Sequence, residues 1–366
     1  MPRELLFVSA GLDLDGGGRA LAGRLLAAAC AEFAQARGLA FSALALGTGG
    51  GPLGMRYFGS DRRSLAFAVW RRQWRRQAAA AVFDLLGPAR LQSWLPAGRR
   101  APYLIPLYGI EVWSPLPANR RRALAAAAVR FAISHYTVRR ALPFAPFLEG
   151  TPVVPLALEE RQAEGAVDAG LLRRLGQGYL LIVGRMAASE RYKGHDQILE
   201  ALPHLPDARL VVAGDGDDRS RLAARAADLG LARRVTFTGF VSEATLIEIY
   251  RRAAVFVMPS LGEGFGLVYL EAMRAGKPCV AARGSAAEEV VVDGETGLLV
   301  PQEDAGELVA ALQRLLASPE AARRMGEAGR RRWRDEFGAD RFRARIEPLL
   351  ERLTERSERS ERSGRL

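Results

Sequence analysis

Cysteine is nearly missing from this chain. Cys30 and Cys279 are the only two, each in an apolar setting, AAACAEF and GKPCVAA. Neither has a partner at metal-ligand spacing, so a disulfide framework and a zinc site are both disfavoured, and buried thiols in a reducing compartment are expected. Histidine is almost as scarce, with His135, His195 and His204 only. No Ser-His-Asp or Cys-His set stands out among them, which argues against an activated protein nucleophile. Apolar runs of the length a signal or membrane helix needs are missing too. The start, MPRELLFVSAG, offers a charged residue or two and one short strand. A cytoplasmic location, or attachment to the cytoplasmic face of a membrane, is therefore expected. No metal is expected either. Asp13-Leu-Asp15 has the letters of a metal motif but sits in a first-domain loop.

What is present suits two domains. The chain has 366 residues, 49% of them hydrophobic, which is too long for one ordinary core and apolar enough for two. Its formal charge is +11, from 52 Lys and Arg against 41 Asp and Glu, and arginine supplies nearly all of the positive side. A nucleic acid, a phosphate-bearing substrate, an anionic membrane surface or an arginine-favouring genome would each account for it.

Residues 4–9 (ELLFVS) read as a buried strand, followed by the glycine turn Gly16-Gly17-Gly18, a long Ala/Leu helix over 19–37 and a strand over 40–46. Residues 49–63 read as a loop and 64–83 as an arginine-rich helix. Further strands are expected at 103–108, 131–134 and 151–156, with a helix at 120–130. Residues 157–177 lose apolar periodicity and read as a linker with an entry helix. A second series of short apolar strands then alternates with helices, at 179–183, 209–213, 234–238, 255–258, 278–281 and 297–300. Such alternation indicates parallel sheets in an α/β fold. The expected division is 1–156, linker 157–177, a second domain over 178–337 and a helix over 338–353 packing back toward the first domain. The polar repeat of 354–366 is expected to be a disordered tail.

The strongest chemical signal is PSLGEGFGLVYLEAMRAGKPCVA, residues 259–281. Glycines 262, 264 and 266 let the backbone approach a ligand closely. A helix beginning near Gly266 would present free N–H groups and a positive dipole end, a seat for phosphate. Glu263 lies before that helix and Glu271 eight positions on. They cannot form an i,i+4 pair, so they serve different points, one able to accept from sugar hydroxyls and the other from a ribose diol. A loop charge and a solvated helix residue are the plain alternatives. Arg185 follows the 179–183 strand, at the carboxyl edge where α/β proteins bind ligands.

This segment resembles the Glu-x7-Glu motif of the retaining glycosyltransferases of family 4, the group 1 transferases. VGRMAASERYKGHDQILEAL (183–202), RLVVAGDGDD (209–218), VTFTGFVSEATLIEIYRRA (235–253) and EEVVVDGETGLLVP (288–301) extend the resemblance through most of the second half. The first half matches more loosely, through the glycine turn, YGIEVW (108–113) and ISHYT (133–137).

The resemblance implies a GT-B fold, two Rossmann-like domains with parallel sheets facing across a cleft. It implies transfer of a hexose-type sugar from a UDP- or GDP-sugar to a glycan, lipid or small-molecule acceptor with retention. The nucleotide-sugar is then a substrate, and no cofactor is needed. Arg185, Lys193 and Glu263 take the catalytic roles, the two cations gripping the diphosphate and Glu263 the transferred sugar. Gly17, Gly18, Gly214, Val241, Gly264, Phe265, Gly266, Leu267 and Glu271 line the nucleotide-sugar site. For Gly214 a tight turn without ligand contact is the competing reading. On the acceptor side stand Tyr108, Glu111 and His135, with Tyr108 where many relatives have histidine.

In WRRQWRRQ, Trp70 and Trp74 share a helix face with Phe67 among arginines. Such a helix can lie on an anionic membrane, or its tryptophan face can pack in the core. A nucleic-acid partner is not expected, since no binding motif appears. A nicotinamide dehydrogenase would need G-x-G-x-x-G after the first strand, which Gly16-Gly17-Gly18-Arg-Ala-Leu does not supply. A sugar-nucleotide epimerase is the alternative that shares the fold.

Overall fold

Buried apolar strands alternating with helices build two parallel sheets. The structure is a computed structural model and describes residues 4–12, 17–48, 54–160 and 165–363, with side chains as far as Ser357. Asp13, Asp15 and Gly16, the first five residues of the 49–63 loop and part of the expected linker lie outside the described residues. The chain divides into two units, Met1–Ala157 with Ala339–Leu366, and Leu158–Gly338.

The first unit runs β1 (Glu4–Ser9), α1 (Gly17–Ala36), β2 (Ala40–Ala45), β3 (Arg56–Tyr57), α2 (Arg62–Trp74), β4 (Ala78–Phe83), α3 (Leu86–Ala89), β5 (Tyr103–Leu107), α4 (Ala118–Ala125), β6 (Val129–Ala132) and α5 (His135–Ala141). Its sheet has the order β3-β2-β1-β4-β5-β6, with all described pairings parallel. The second unit holds α6 (Ala169–Leu175), β7 (Tyr179–Val183), α7 (His195–Ala201), β8 (Leu210–Ala213), α8 (Arg219–Asp228), β9 (Val235–Gly239), α9 (Glu243–Arg252), β10 (Ala253–Met258), α10 (Leu267–Arg274), β11 (Cys279–Ala282), β12 (Gly297–Val300), α11 (Ala305–Ala317) and α12 (Pro319–Glu336). Its order, β12-β11-β10-β7-β8-β9, repeats that of the first sheet. Both are the doubly wound Rossmann order. In each, the strand order reverses between the first and fourth strands, and the crevice outside their carboxyl ends is where such sheets bind ligands.

Four expectations are corrected. The helix expected at 120–130 ends at Ala125, and Val129 and Arg130 belong to β6. The helix expected over 64–83 stops at Trp74, where Arg76 takes a left-handed φ of 54°. Ala78–Phe83 is instead the fully buried strand β4, between β1 and β5. Alanine favours helix in isolation, but its small side chains let helices pack closely on a central strand, and that context prevails. The strand expected at 151–156 is reduced to one bridge between Ala132 and Val153. Pro152 and Pro155 flank the pair of valines and have no N–H to donate. The tail expected to be disordered continues as helix α13 (Ala339–Ser363). Its Ser-Glu-Arg repeat contains no helix breaker after Pro348, so the turns begun at Ala339 propagate.

Helix α13 belongs to the first unit, packing on α1 and on β4, β5 and β6. Phe342, Ile346, Leu349, Leu350 and Leu353 are buried. Two ion pairs fasten its edge to α1 and the turn after it, Arg343 with Glu32 at 2.7 Å and Arg37 with Glu351. Among the described residues, no helix is long and apolar enough to cross a membrane.

Phe342 is 1% exposed. Phe342→Ala is expected to cost about 3–5 kcal/mol, seen in urea denaturation as a first-unit transition at lower urea with the second-unit transition unmoved.

Candidate functional site

In the second unit, the loops leaving β7 and β10 meet at the strand-order reversal. After β7 come Gly184, Arg185 and Met186, then a 3-10 turn over Ala188–Lys193. After β10 comes 259–266, leading into α10. Glycines make the approach possible. A side chain on Gly262 would place its Cβ 2.2 Å from the Tyr192 ring, and one on Gly194 would meet Pro259 at 2.6 Å. The β8 loop is drawn in as well. A Cβ on Gly214 would lie 2.2 Å from the Gly184 carbonyl oxygen, and one on Gly216 would lie 2.0 Å from that of Met186. Close packing of backbones therefore accounts for Gly214, whose φ of 126° also favours glycine.

A charge network fixes the 3-10 turn. Arg191 and Arg221 both bind Asp218, at 2.9 and 2.6 Å, and Arg221 also binds Asp196 at 2.7 Å. The Arg221 hydrogen bond, then that of Arg191 and the charges of both, hold the Asp218 carboxyl far below its usual range against the effect of burial. The Gln302 amide donates to the Tyr192 carbonyl at 2.8 Å.

This scaffold brings Arg185 and Lys193 onto one carboxylate. Glu190 takes Arg185 on one oxygen and the Lys193 ammonium at 2.8 Å on the other. Burial works against its charge, but the hydrogen bond and charge of Lys193, then those of Arg185, prevail and hold its carboxyl low. Glu190 was not singled out in the sequence. Its place three residues before Lys193, on the same turn, was the available signal. Lys193 also bears on Glu263, which is half-buried. Burial raises the Glu263 carboxyl, Lys193 opposes this, and Glu190 adds to it.

Helix α10 begins on Gly266, at φ 90°, with no side-chain cap. By contrast Asp61, Ser134, Asp168, Ser242 and Asp304 cap α2, α5, α6, α9 and α11 with side-chain oxygens. The first turn of α10, like those of α3, α4, α7, α8 and α12, thus has no hydrogen bond from a cap side chain, and it presents backbone donors and a positive dipole end. Gly264 lies in the loop before it. Phe265 and Leu267 turn their side chains inward, Phe265 meeting Phe337 edge-on at 5.8 Å, so only their backbones can serve a ligand.

Glu271 stands apart from the cation pair. The Tyr250 hydroxyl donates to its carboxylate at 2.6 Å, another contact the sequence did not disclose. Burial raises the Glu271 carboxyl, opposed by Tyr250 and Arg274. It lines a cavity of about 270 Å³ together with Tyr250, Ile247 and Arg274. Val241 is half-buried in the turn after β9, next to Phe240, which is 81% exposed.

In the first unit, Gly17 and Gly18 form the first residues of α1. Tyr108 follows β5, and its N–H donates to Glu111 Oε1 at 2.5 Å. Burial raises both side chains. His135 is exposed at the start of α5, beyond the end of β6. Asp84 was overlooked. It follows β4 at the strand-order reversal, where the Ser9 hydroxyl donates to it at 2.5 Å, and burial pushes its carboxyl up to about 7.

The model of the family described as glycosyl transferases group 1 matches residues 168–332. A GDP-mannose-dependent alpha-(1-6)-phosphatidylinositol monomannoside mannosyltransferase of Mycolicibacterium smegmatis is 36% identical over 269 residues, covering 69% of each chain. The chain belongs to the glycosyl transferases group 1. An alpha-D-kanosaminyltransferase of Streptomyces kanamyceticus is 37% identical over 46% of this chain and 43% of that protein. Among solved structures, a sucrose-phosphate synthase from Thermosynechococcus elongatus superposes with a TM-score of 0.77 at 22% identity, over 96% of this chain and 99% of that one. Anabaena Alr3699/HepE in complex with UDP and glucose gives 0.75 at 18% identity, over 95% and 99%. The fold of this transferase is GT-B.

Two predictions follow from the geometry. Gly216→Ala is expected to destabilise the second unit by about 1–3 kcal/mol through overpacking against Met186, read in a urea melt. Asp84 has a folded-state pKa raised well above its unfolded value near 4. It therefore favours the folded state at low pH, and that contribution is lost as pH rises from about 4 through about 7. Asp84→Asn is expected to flatten the pH dependence of first-unit stability across that window, measured by thermal melts in a buffer series.

Proposed function

We propose that this transferase uses its second unit to hold a nucleotide-diphosphate sugar and passes a hexose-type sugar to a hydroxyl acceptor with retention of configuration, as a family 4 enzyme. The observation that carries this reading is the meeting of Arg185 and Lys193 on the Glu190 carboxylate, on a turn packed against the loop that leads into the uncapped α10. Two cations converging on one anion, next to backbone donors and a positive dipole end, form a site for a diphosphate.

In the proposed complex the diphosphate lies over the first turn of α10, at Gly266 and Leu267. Arg185 and Lys193 move from Glu190 to its oxygens. As the bond from the sugar to the diphosphate breaks, negative charge grows on the departing oxygen, and these fixed positive groups stabilise it more than they stabilise the ground state. Glu271, held by Tyr250, accepts from the ribose hydroxyls. Glu263 accepts from the transferred sugar and holds it in register for attack. The backbone near Val241 takes the base. The departing diphosphate receives the acceptor proton on the same face of the sugar, so retention needs no protein nucleophile, and no cofactor enters the reaction. Tyr108, Glu111 and His135 are assigned to the acceptor, a glycan, a lipid-linked sugar or a small molecule. The named mannosyltransferase of a phosphatidylinositol monomannoside supports an acceptor bearing hydroxyls.

Calorimetry against UDP- and GDP-sugars tests the donor reading, and binding of at least one of them is expected. Heat from none of them refutes it. Arg185 has a side chain 65% exposed, so its removal leaves the fold intact. Arg185→Ala and Lys193→Ala are each expected to lower kcat by about a hundredfold or more, with the thermal melt still cooperative. Near-normal turnover in both contradicts the assignment.

A further inference from the structure

Two carboxylates beside the 3-10 turn are held in opposite ways. Asp218 is gripped by two guanidinium groups, each giving it two nitrogens, Arg191 at 3.1 and 2.9 Å and Arg221 at 2.8 and 2.6 Å. Its side chain is 6% exposed. Planar forks of that kind fix an acid in place. Glu190 receives a single guanidinium nitrogen, from the exposed Arg185, and the rotatable Lys193 ammonium. Among the described residues its carboxylate has no other partner, and Arg185 and Lys193 make no other ion pair. The first acid is locked, whereas the second can exchange its partners.

That exchange needs no movement of the backbone. On one side of Glu190 the Ala188 N–H donates to Asp217 at 2.9 Å. On the other, Arg191 is held by Asp218 and the Tyr192 carbonyl by Gln302. The turn is pinned on both sides, so the side-chain torsions of Glu190, Arg185 and Lys193 are the freedom that remains.

We propose that Glu190 is a resident counter-ion, which occupies Arg185 and Lys193 when no nucleotide is bound, competes with the diphosphate for them and returns to them as the nucleoside diphosphate leaves. This rests on the donor reading and adds a regulation of the same site. Transfer breaks the bond between the sugar and the diphosphate and leaves the electron pair on the departing oxygen. The proton that this oxygen takes from the acceptor passes on to water at neutral pH, the second pKa of a phosphate lying at about 6. The product therefore carries more negative charge than the donor, and the same two cations hold it harder. Leaving them half-buried and unpaired would add a further cost to release. An acid three residues from Lys193, on the same turn, supplies the replacement at high effective concentration. Lys193 and Arg185 also keep its carboxyl low, so it is an anion at neutral pH. A purely positioning role, with Glu190 aiming the two cations, predicts the opposite sign: removing a positioning acid weakens diphosphate binding, while removing a competitor strengthens it.

Calorimetry of the full chain with GDP and with UDP tests this on the native protein, Glu190→Gln, Glu190→Ala and Glu200→Gln. Glu200 is an exposed acid of α7 paired with Arg225, so its variant makes the same charge change elsewhere in the second unit. Both Glu190 variants are expected to bind the nucleoside diphosphate about tenfold more tightly than the native chain, each partly exposed ion pair that need not be exchanged being worth up to about a factor of five. They are expected to release it correspondingly more slowly in a stopped-flow chase, with unchanged thermal melts. Glu200→Gln is expected to stay within about twofold of the native affinity, since solvent and salt screen a distant exposed charge. Native binding with equal or weaker binding by the Glu190 variants overturns the proposal and leaves the donor reading standing. So does equal tightening in Glu200→Gln, which would be an effect of net charge alone. Binding of GDP or UDP by none of the four proteins refutes the donor reading itself, and this proposal with it.

Discussion

Backbone against backbone, with no side chain between, is the constraint on which the carboxyl edge of the second sheet depends. Gly214 sits on the Gly184 carbonyl and Gly216 on that of Met186, while Gly262 admits the Tyr192 ring. Each contact removes the room that even a methyl group would need. The β7, β8 and β10 loops can therefore converge outside the strand-order reversal, and their charges can be placed with little freedom. Arg185 and Lys193 meet on Glu190 because the turn bearing Lys193 is held on one side by these contacts and on another by Asp218 and Arg221. A charge cluster carried by mobile loops would lose much of its advantage to the cost of ordering it.

How much of this was legible depended on how local the signal was. The strands of the second unit are short, apolar and separated by clear helical stretches, so all six could be read to within a residue or two. Strand β4 could not. An alanine run carries almost no signal of its own, and only the sheet around it decides that it is extended. Pro152 and Pro155 hid in an otherwise strand-like segment. At the site, the strand end pointed to Arg185 and the glycine loop to Glu263, while Lys193 was reached only through the family resemblance. Their partners did not announce themselves. Glu190 is an acid in a polar turn, Tyr250 is one residue of an amphipathic helix, and Asp84 follows a strand whose alanines read as helix. Each becomes noticeable only when the fold places it against something distant in sequence.

The two units also differ in how they spend charge. In the second, cations and acids are interleaved and largely satisfy one another, as in the Arg191, Asp218, Arg221 and Asp196 network. In the first, arginines crowd α2 and its neighbours with few acids in reach. On the proposed reading, one unit holds a small, strongly charged ligand at fixed points. The other presents a broad field whose strength depends on ionic conditions.

Helix α13 reaches the first unit only after the whole second unit has been made. Residues 158–338 separate Ala157 from it, and its buried face covers α1, β4, β5 and β6. During synthesis the first sheet emerges early and stays uncovered on that side while the intervening residues are added, roughly 10 to 40 seconds at common elongation rates. The growing chain thus carries an open apolar face throughout the time its second unit is folding, which makes that interval, rather than the finished molecule, the point of greatest exposure to aggregation and to chaperones.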